Sequence, residues 1–368
     1  MLESPQNVLL GLTLQELTNI AEGTGQPSYR GQQLFEAIYR HRVTSIEKVS
    51  TLPGDFRRRL AEGGFSIGLP RVEKQFQSSD GTIRYLIGLH DGQTVETVWM
   101  PEGDGGESGD GTDAEDNLHR SRATICVSSQ VGCAVECQFC LTALLGVKRN
   151  LTAGEIIGQV CEVLNERNAS PPLERINIVF MGMGEPFLNF DNLVKAVRLL
   201  VAGVGIPESR MTVSTAGIAP RIPDLGREAV RPKLAISLNA PNDELRSRLM
   251  PINRKWNLER LMAASRGYPL RNREKLTFEY VLLHDVNDQP EHARELVDLI
   301  RGIRAKVNLI ALNPGPGIDF GTPAQERVLS FQKILMAAGV PTFIRRPRGR
   351  DIYAACGQLK RTVEAPSE

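Results

Sequence analysis

Three cysteines within eight residues limit what this chain can fold into more than any other feature. They are Cys133, Cys137 and Cys140, spaced C-x3-C-x2-C. Three thiolates on one short loop can each bind one iron of a [4Fe–4S] cluster, which leaves the fourth iron without a protein ligand. An open coordination position suits catalysis, because another molecule can bind there. The spacing therefore predicts a cluster with one iron free to bind a further molecule.

Other interpretations of this loop are weaker. A structural zinc site needs four closed ligands, and no His or Cys follows closely enough to supply the fourth. An iron–sulfur electron carrier, the non-enzymatic alternative, would group four cysteines together instead of three. A disulfide is disfavoured because the N-terminus shows no export signal, so we expect the six cysteines to be reduced thiols in the cytoplasm.

Length, charge and hydrophobicity limit the number of domains and the kinds of partner that we expect. The 368 residues are enough for one large domain and a small one. Charge is balanced, with 44 basic and 43 acidic residues, and this balance argues mildly against a nucleic-acid partner unless the charges are segregated. No apolar run approaches the length of a membrane span, so we expect no membrane partner.

Residues 1–70 have the pattern of a small helical accessory domain. Thr13 and Glu16 predict a capping box, a second helix is predicted from Arg30 through Ile38, and a third over 55–61. The basic residues of this region are grouped. Most charge runs are solvated helix faces, and an RNA-phosphate contact is the alternative. The grouped residues are Arg30, Arg40, His41, Arg42, Arg57, Arg58 and Arg59.

Residues 71–120 predict a linking β-hairpin followed by a loop. Apolar and polar residues alternate around the turn signals Asp80-Gly81 and Asp91-Gly92. Glu96 lies in the second strand, where a glutamate is usually on the solvated face. The acidic, glycine-rich stretch 102–120 cannot bury enough apolar surface to order itself, so we expect an exposed, mobile insertion.

Residues 121–351 alternate between strand-like and helical segments, which predicts βα units around a parallel sheet. In such folds functional groups gather at the carboxyl ends of strands, and the cysteine loop follows the first strand. Cys161 falls inside a predicted helix and is expected to be a core residue. The predicted strands are Ala123–Val127, Ile176–Met181, Met211–Thr215, Leu234–Leu238, Leu276–Leu283, Val307–Leu312 and Thr342–Arg345.

Polar or glycine residues recur at the ends of these strands. Each alone is an ordinary strand-end residue, and a G-x-G such as that in MGMGEP is a weak signal. Their recurrence at successive strand ends predicts one shared pocket. The residues are Gly184, Glu185, Ser214, Ser237, Leu238, Asn239 and Asn313.

Several longer motifs resemble one known family. CVSSQVGC, the following C-x2-C, RNLTAGEI and the distant DIYAACGQL resemble the RlmN/Cfr family of radical S-adenosylmethionine (radical SAM) RNA adenine methyltransferases. The resemblance covers nearly the whole chain. It implies an α/β fold, an incomplete (β/α)6 TIM-like radical SAM barrel over 121–351. The segment 352–368 then carries Cys356, and the N-terminal domain helps to hold RNA.

The resemblance also implies the roles of individual residues. Cys133, Cys137 and Cys140 would bind one [4Fe–4S] cluster, whose free iron is chelated by SAM. Gly184, Glu185, Ser214, Ser237, Leu238, Asn239 and Asn313 would contact SAM, and Glu96 would be a proton acceptor. Asn239 occupies a position where the family more often has His, so its hydrogen-bonding side chain cannot be charged.

Two further cysteines acquire roles through the resemblance. Cys126 and Cys356 would singly be taken for small buried residues. The arginines at 345, 346, 348 and 350 favour a nucleophilic Cys356, because nearby cations lower a thiol pKa.

In the family, one SAM methylates the cysteine matching Cys356. A second SAM then yields a 5′-deoxyadenosyl radical that takes hydrogen from this S-methyl group. The carbon radical adds to the electron-poor adenine C2. The cysteine matching Cys126 then releases the product by forming a disulfide with Cys356.

The resemblance leaves two activities open. The RlmN type methylates C2 of adenosine in 23S rRNA, at the peptidyl transferase centre, and in tRNA, 3′ of the anticodon. The Cfr type methylates C8 of the same rRNA adenosine. RNLTAGEI and the 81–101 region are more like the RlmN type. Leu141 and the stretch LLGV at 144–147 differ from the sequence that is usual in the family. An electron donor such as flavodoxin or ferredoxin is a further expected partner.

Overall fold

The core of the molecule is a ten-stranded sheet in the order β1-β2-β3-β4-β7-β8-β9-β10-β11-β12. A computed structural model of the chain describes residues 7–101, 122–171 and 173–359. The strands are β1 (Arg71–Gln77), β2 (Ile83–Gly88), β3 (Thr94–Pro101), β4 (Arg122–Cys126), β5 (Gln130–Gly132), β6 (Val147–Asn150), β7 (Arg175–Phe180), β8 (Met211–Thr215), β9 (Lys233–Ser237), β10 (Leu276–Leu282), β11 (Ala305–Ala311) and β12 (Thr342–Arg345). The helices are α1 (Leu14–Gly23), α2 (Tyr29–Phe35), α3 (Gly54–Glu62), α4 (Ala153–Glu166), α5 (Phe190–Leu199), α6 (Arg221–Arg227), α7 (Asp243–Leu249), α8 (Leu258–Arg266), α9 (Pro290–Ile300) and α10 (Gln325–Ala337).

From β4 to β12, the strands of this sheet run parallel to one another. At least one helix follows each of the first six, from β4 to β11, and β12 comes after α10. This arrangement confirms the predicted α/β fold with an incomplete (β/α)6 barrel. The predicted strands agree with the observed ones to within two residues at each end, because each is a short apolar run that the sheet buries. Cys161 is buried in α4, as predicted.

The region predicted to be a linking hairpin is larger and belongs to the main sheet. β1, β2 and β3 form an antiparallel meander, and β3 pairs with β4 in register Val98–Cys126. β1 was not predicted as a strand of the hairpin, because most of its residues are polar and exposed, as at the edge of a sheet. The stretch 102–120, predicted to be an insertion, lies outside the described residues.

Two helices begin with a capping box, and the first of these is the box predicted above. Thr13 and Glu16 cap α1, and Thr152 and Glu155 cap α4, each with reciprocal side-chain and backbone hydrogen bonds. Glu16 also pairs with Lys195 of α5, whose Nζ lies 2.9 Å from Glu16 Oε1. The first capping box therefore also joins the N-terminal helices to the barrel.

The N-terminal helices contact the barrel through backbone as well as side chains. A Cβ at Gly154, in the first turn of α4, would lie 2.3 Å from the carbonyl oxygen of Leu10. The Tyr39 hydroxyl accepts a hydrogen bond from Gly11 N–H at 2.9 Å and donates one to the Leu12 carbonyl at 2.7 Å. Arg42 donates to Asn165 Oδ1 and to the Ala169 carbonyl, so this member of the basic group has an internal role. No helix of the described ranges is long and apolar enough to span a bilayer.

Because Leu10 lies so close to Gly154, replacing Gly154 by alanine should change stability in the direction opposite to the usual one. In most helices Gly→Ala stabilises by up to about 1 kcal/mol. Gly154→Ala should instead lower the free energy of unfolding by about 1–3 kcal/mol, because the methyl group would overlap backbone that cannot rotate away. Gly23→Ala, at the end of α1 with no atom within 4 Å of the new methyl, is the control and should not destabilise. Urea unfolding of the two variants measures this difference, and equal stabilities would contradict the packing described.

Candidate active site

The three clustered cysteines lie on a loop that a two-stranded hairpin keeps rigid. β5 and β6 pair antiparallel, and Cys133 N–H donates to the Gly146 carbonyl at 3.1 Å. Gly132 has φ +80°, and a Cβ there would lie 1.7 Å from Gly146 O, so only glycine fits. Cys140 N–H donates to the Cys137 carbonyl at 3.2 Å and closes the turn between the last two cysteines. The hairpin therefore fixes where the loop begins and where it ends.

The three cysteines are half-buried, and the surroundings of Cys133 and Cys137 disfavour ionisation of their thiols. Burial, followed by the nearby Cys140 and Glu185 charges, raises the pKa of Cys133 to about 12. Burial, followed by Cys140 and Cys133, raises the pKa of Cys137 well above its ordinary value, and Arg246 opposes this shift. Thiols that ionise this reluctantly become thiolates when a metal binds them. The three residues therefore fit a metal group with thiolate ligands.

Glu185 and Gly184 lie beside the cysteine loop. Glu185 is buried, its Oε2 accepts from Ala216 N–H at 2.6 Å, and its Oε1 accepts from Phe187 N–H at 3.0 Å. Burial nonetheless raises its pKa to about 7, against the lowering effect of these hydrogen bonds. Gly184 has φ +98°, and a Cβ there would be 2.6 Å from Gln130 Cβ, so packing within the protein already requires this glycine.

Two serines from neighbouring strand ends contact each other. Ser214 Oγ of β8 lies 3.1 Å from Ser237 Oγ of β9. Leu238 is buried, and its N–H donates to the Glu279 carbonyl at 2.9 Å. Asn313 is buried two residues beyond the end of β11. The strand-end residues predicted from the sequence therefore lie along one edge of the parallel sheet.

Asn239 has a structural role that the sequence did not indicate. Its φ is +59°, a left-handed conformation that asparagine tolerates better than most residues. Its Oδ1 accepts from Val281 N–H at 2.8 Å, and its carbonyl accepts from Asn287 Nδ2 at 2.8 Å. The side chain thus holds the loop after β9 against β10.

Arg246 of α7 was missed by the sequence analysis, although it is central to the site. It is fully buried and donates to the Leu238 carbonyl, the Ala216 carbonyl and Asn253 Oδ1 at 2.7–3.0 Å. Burial lowers its pKa to about 10, and the nearby Cys137 opposes that shift. No signal in the sequence singles it out, since an arginine in an amphipathic helix usually faces solvent.

Cys126 and Cys356 come together across the fold. Cys126 ends β4, and its pKa is raised to about 12, first by burial and then by the nearby Cys356. Cys356 is exposed on the turn after residue 355. The segment that carries it binds the cluster loop, because Leu141 N–H donates to the Gly357 carbonyl at 2.8 Å and Thr142 Oγ1 donates to the Leu359 carbonyl at 2.7 Å.

A second set of contacts holds the same segment from its other side. Ser78 Oγ donates to Asp351 Oδ1 at 2.6 Å, and Gly349 N–H donates to Asp80 Oδ2 at 2.9 Å. We refer to these contacts between the β1–β2 turn and residues 349–351 as the acidic clasp. Cys356 therefore lies between two anchors, the acidic clasp and the cluster loop. Asp351 belongs to the DIYAACGQL motif, but no local pattern predicts its distant partner.

Glu96 is not on a solvated face, which corrects the expectation from strand alternation. It is fully buried and forms an ion pair with Arg84, which is also fully buried. The β3–β4 register carries Glu96 just past the end of β4, and the Glu96 carbonyl accepts from Ser128 Oγ at 2.6 Å. A buried carboxylate in a strand needs such a cation, and only the pairing of β2 with β3 supplies it.

Comparisons with known proteins show which family this chain resembles. Residues 127–298 match the model of the radical SAM superfamily, and residues 7–64 match that of the ribosomal RNA large subunit methyltransferase N-terminal domain. The chain is 64% identical to a probable dual-specificity RNA methyltransferase RlmN of Koribacter versatilis, over 93% of this chain and 98% of that protein. It is 46% identical to the dual-specificity RNA methyltransferase RlmN of Syntrophobacter fumaroxidans, over 94% and 96% respectively. A crystal structure of a radical SAM methyltransferase from Sphaerobacter thermophilus matches with a TM-score of 0.88 at 42% identity, over 97% of this chain and 100% of that one.

The raised pKa of Glu185 predicts how stability depends on pH. With a pKa of about 7 in the folded protein and 4.5 as its ordinary value, this carboxyl stabilises the fold most below pH 4.5. That contribution is lost as the pH rises through about 7. Relative to the native protein, Glu185→Gln should therefore gain about 2.5 kcal/mol of unfolding free energy between pH 5 and pH 8. Urea unfolding of both cluster-free proteins across this range measures the gain, and parallel pH profiles would contradict it.

Proposed function

The chain belongs to the RlmN family of radical SAM enzymes, and on that premise we propose that it methylates C2 of adenosine in RNA. The proposed substrates are 23S rRNA, at the peptidyl transferase centre, and tRNA, at the adenosine 3′ of the anticodon. The observation that supports this most directly is the position of Cys356. It lies near Cys126, on a segment hydrogen-bonded to the loop of the three cluster cysteines. An electron carrier has no use for that second pair of thiols.

Membership of the radical SAM superfamily implies one [4Fe–4S] cluster and SAM. We assign the cluster to Cys133, Cys137 and Cys140, and SAM to the strand-end residues Gly184, Glu185, Ser214, Ser237, Leu238, Asn239 and Asn313. When bound, these groups supply a 5′-deoxyadenosyl radical by reductive cleavage of SAM. In this proposal one turnover uses two SAM molecules, the first as methyl donor to Cys356 and the second as the source of the radical.

The two outer cysteines carry the methyl group and release it. Cys356 sulfur takes the methyl group of SAM by displacement, which breaks one S–C bond of the sulfonium and leaves S-adenosylhomocysteine. After loss of one hydrogen atom, the S-bound carbon adds to adenine C2. The adduct then loses the C2 proton and one electron, and the electron goes to a one-electron acceptor, for which the cluster held by Cys133, Cys137 and Cys140 would be the candidate. The Cys126 thiolate attacks the Cys356 sulfur, and the S–CH2 bond breaks with its electron pair moving to carbon, which takes up a proton to become the new methyl group. The disulfide that forms is opened by an external reductant. Glu96 is proposed to accept the proton that leaves C2.

Contacts around the site fit an RNA substrate. Arg345, Arg346 and Arg350 are exposed on the segment leading to Cys356, where they can contact phosphates. In the N-terminal domain Arg40, His41 and Arg58 are exposed as well. The target base must leave its stack to reach Cys356, and unpaired loops reduce that cost. We propose a cytoplasmic location and flavodoxin or ferredoxin as the electron donor.

The alternative activity is methylation at C8, as in Cfr-type enzymes, which use the same cysteines. The names of the RlmN relatives favour C2. Only the position of the new methyl group on the base distinguishes the two activities.

Mass spectrometry of adenosines from rRNA and tRNA tests this function. RNA from cells with the native protein should contain 2-methyladenosine, and RNA from cells lacking it should not. Cys356→Ala should abolish the modification, because no sulfur remains to carry the methyl group, while cluster absorbance and 5′-deoxyadenosine formation persist. Cys161→Ala, which removes a buried thiol in α4, is the matched control and should retain modification. Detection of 8-methyladenosine, or methylation by Cys356→Ala, would refute the proposal.

The acidic clasp should couple SAM cleavage to methyl transfer. In an Asp80→Ala/Asp351→Ala variant, residues 349–351 lose their contacts with the β1–β2 turn, and Cys356 becomes less well positioned. We expect the ratio of methylated RNA to 5′-deoxyadenosine to fall roughly tenfold, as misplacement of a reacting group does. Asp298→Ala, which breaks an exposed ion pair with Arg301, is the control. An unchanged ratio in the clasp variant would show that the clasp does not position Cys356.

A further inference from the structure

The loop that carries the cluster cysteines ends in an exposed apolar turn. Leu144 is 62% exposed and Val147 is 43% exposed, although both follow closely after Cys140. We refer to these two side chains as the apolar tip. In the interior they would stabilise the fold, whereas exposed they only cost solvation. Two exposed apolar side chains this close along the chain, beside a candidate reaction site, form a surface that a substrate can cover.

The apolar tip is held firmly to the site. Val147 pairs with Gly132 in the β5–β6 hairpin, immediately before Cys133. Arg149, on the same strand, donates to Asp91 at 2.7 Å and to both oxygens of Glu155 at 2.8 Å. These contacts prevent the hairpin from folding inward to bury the tip. The exposure of Leu144 and Val147 is therefore built into the loop.

The apolar tip lies on the rim of the candidate active site. A Cβ at Gly317, on the loop after β11, would lie 3.4 Å from Leu144 Cδ1. Leu141, at the start of the same turn, is bonded to the segment of Cys356 through the Gly357 carbonyl. Lys148, next to Val147, is exposed. Two exposed apolar side chains and an exposed cation thus lie within five residues of one another, on the loop that is bonded to the segment of Cys356.

We propose that the apolar tip packs against the bases next to the target adenosine and keeps that adenosine out of its stack, while Lys148 contacts a neighbouring phosphate. This inference rests on the proposed function. An extruded base leaves apolar base faces uncovered, and leucine-like side chains can fill the vacated space. A rigid tip serves this purpose better than a flexible one, because little entropy is lost on binding.

RNA fits this surface better than a protein electron donor does. Flavodoxins and ferredoxins need to approach only within electron-transfer distance of the cluster, whereas the adenosine must reach Cys356 itself. Apolar side chains beside one cation match a base stack and its phosphate. A reductant-docking role remains an outcome that the experiment below can detect.

Leu144→Ser/Val147→Ser tests the inference in the cluster-loaded full-length enzyme. Two RNAs are compared, a folded hairpin with the target adenosine stacked and a short unpaired strand with the same adenosine, both with dithionite as reductant. We expect kcat/KM to fall roughly 10- to 100-fold on the hairpin, the size of lost base-stacking contacts, and less than about threefold on the unpaired strand. Leu173→Ser, 74% exposed and close to the start of β7, at the opposite end of the sheet, is the matched control and should match the native enzyme on both.

Fluorescence of a base analogue distinguishes base extrusion from a purely structural role of the tip, because only loss of extrusion would change the emission. With 2-aminopurine at the target position of the hairpin, emission should rise on binding the native enzyme and not on binding the double variant, although filter binding shows that both bind RNA. Equal losses of activity on the two RNAs, or an unchanged fluorescence rise, would overturn the inference. A loss seen only when flavodoxin replaces dithionite would assign the tip to the reductant instead. If the native enzyme methylates neither RNA, the proposed function itself fails.

Discussion

The site depends on one electrostatic constraint, which is that cysteine thiols lie away from water and close to a carboxyl group and to one another. Cys133 and Cys137 lie in an environment that opposes ionisation, with Glu185 close by. Arg246 is the buried cation that offsets this, and it also bonds the strand-end loops that carry Ala216 and Leu238. One side chain therefore both stabilises negative charge in the site and holds its wall. Without such a cation, only a bound metal could stabilise thiolates in this position.

The sheet places this environment at one edge. In parallel strands all carboxyl ends face the same side, so the cysteine loop after β4 meets the loops after β7, β8 and β9. The serine pair Ser214–Ser237 and the glycine-dependent contact of Gly184 with Gln130 are consequences of that geometry. Several predicted residues consequently serve to pack the loops together as well as to face the site.

The antiparallel meander positions Glu96 and the segment of Cys356 relative to the barrel. β3 carries Glu96 beside the end of β4, and the β1–β2 turn supplies the acidic clasp for the segment of Cys356. The clasp and the cluster loop hold that segment from two sides, and the turn between them leaves Cys356 exposed. The surroundings of Cys356 are therefore fixed while its side chain remains accessible.

The sequence alone determined what depends on neighbours along the chain. The spacing of Cys133, Cys137 and Cys140 predicted a shared group, the Thr13–Glu16 pair predicted a helix start, and short apolar runs predicted the parallel strands. The tertiary structure alone decided what depends on residues far apart. It paired Glu96 with Arg84, buried Arg246 and joined Asp351 to the β1–β2 turn. The physical reason is that charge burial and long-range hydrogen bonding follow from which strands and loops become neighbours, and no local spacing records that choice.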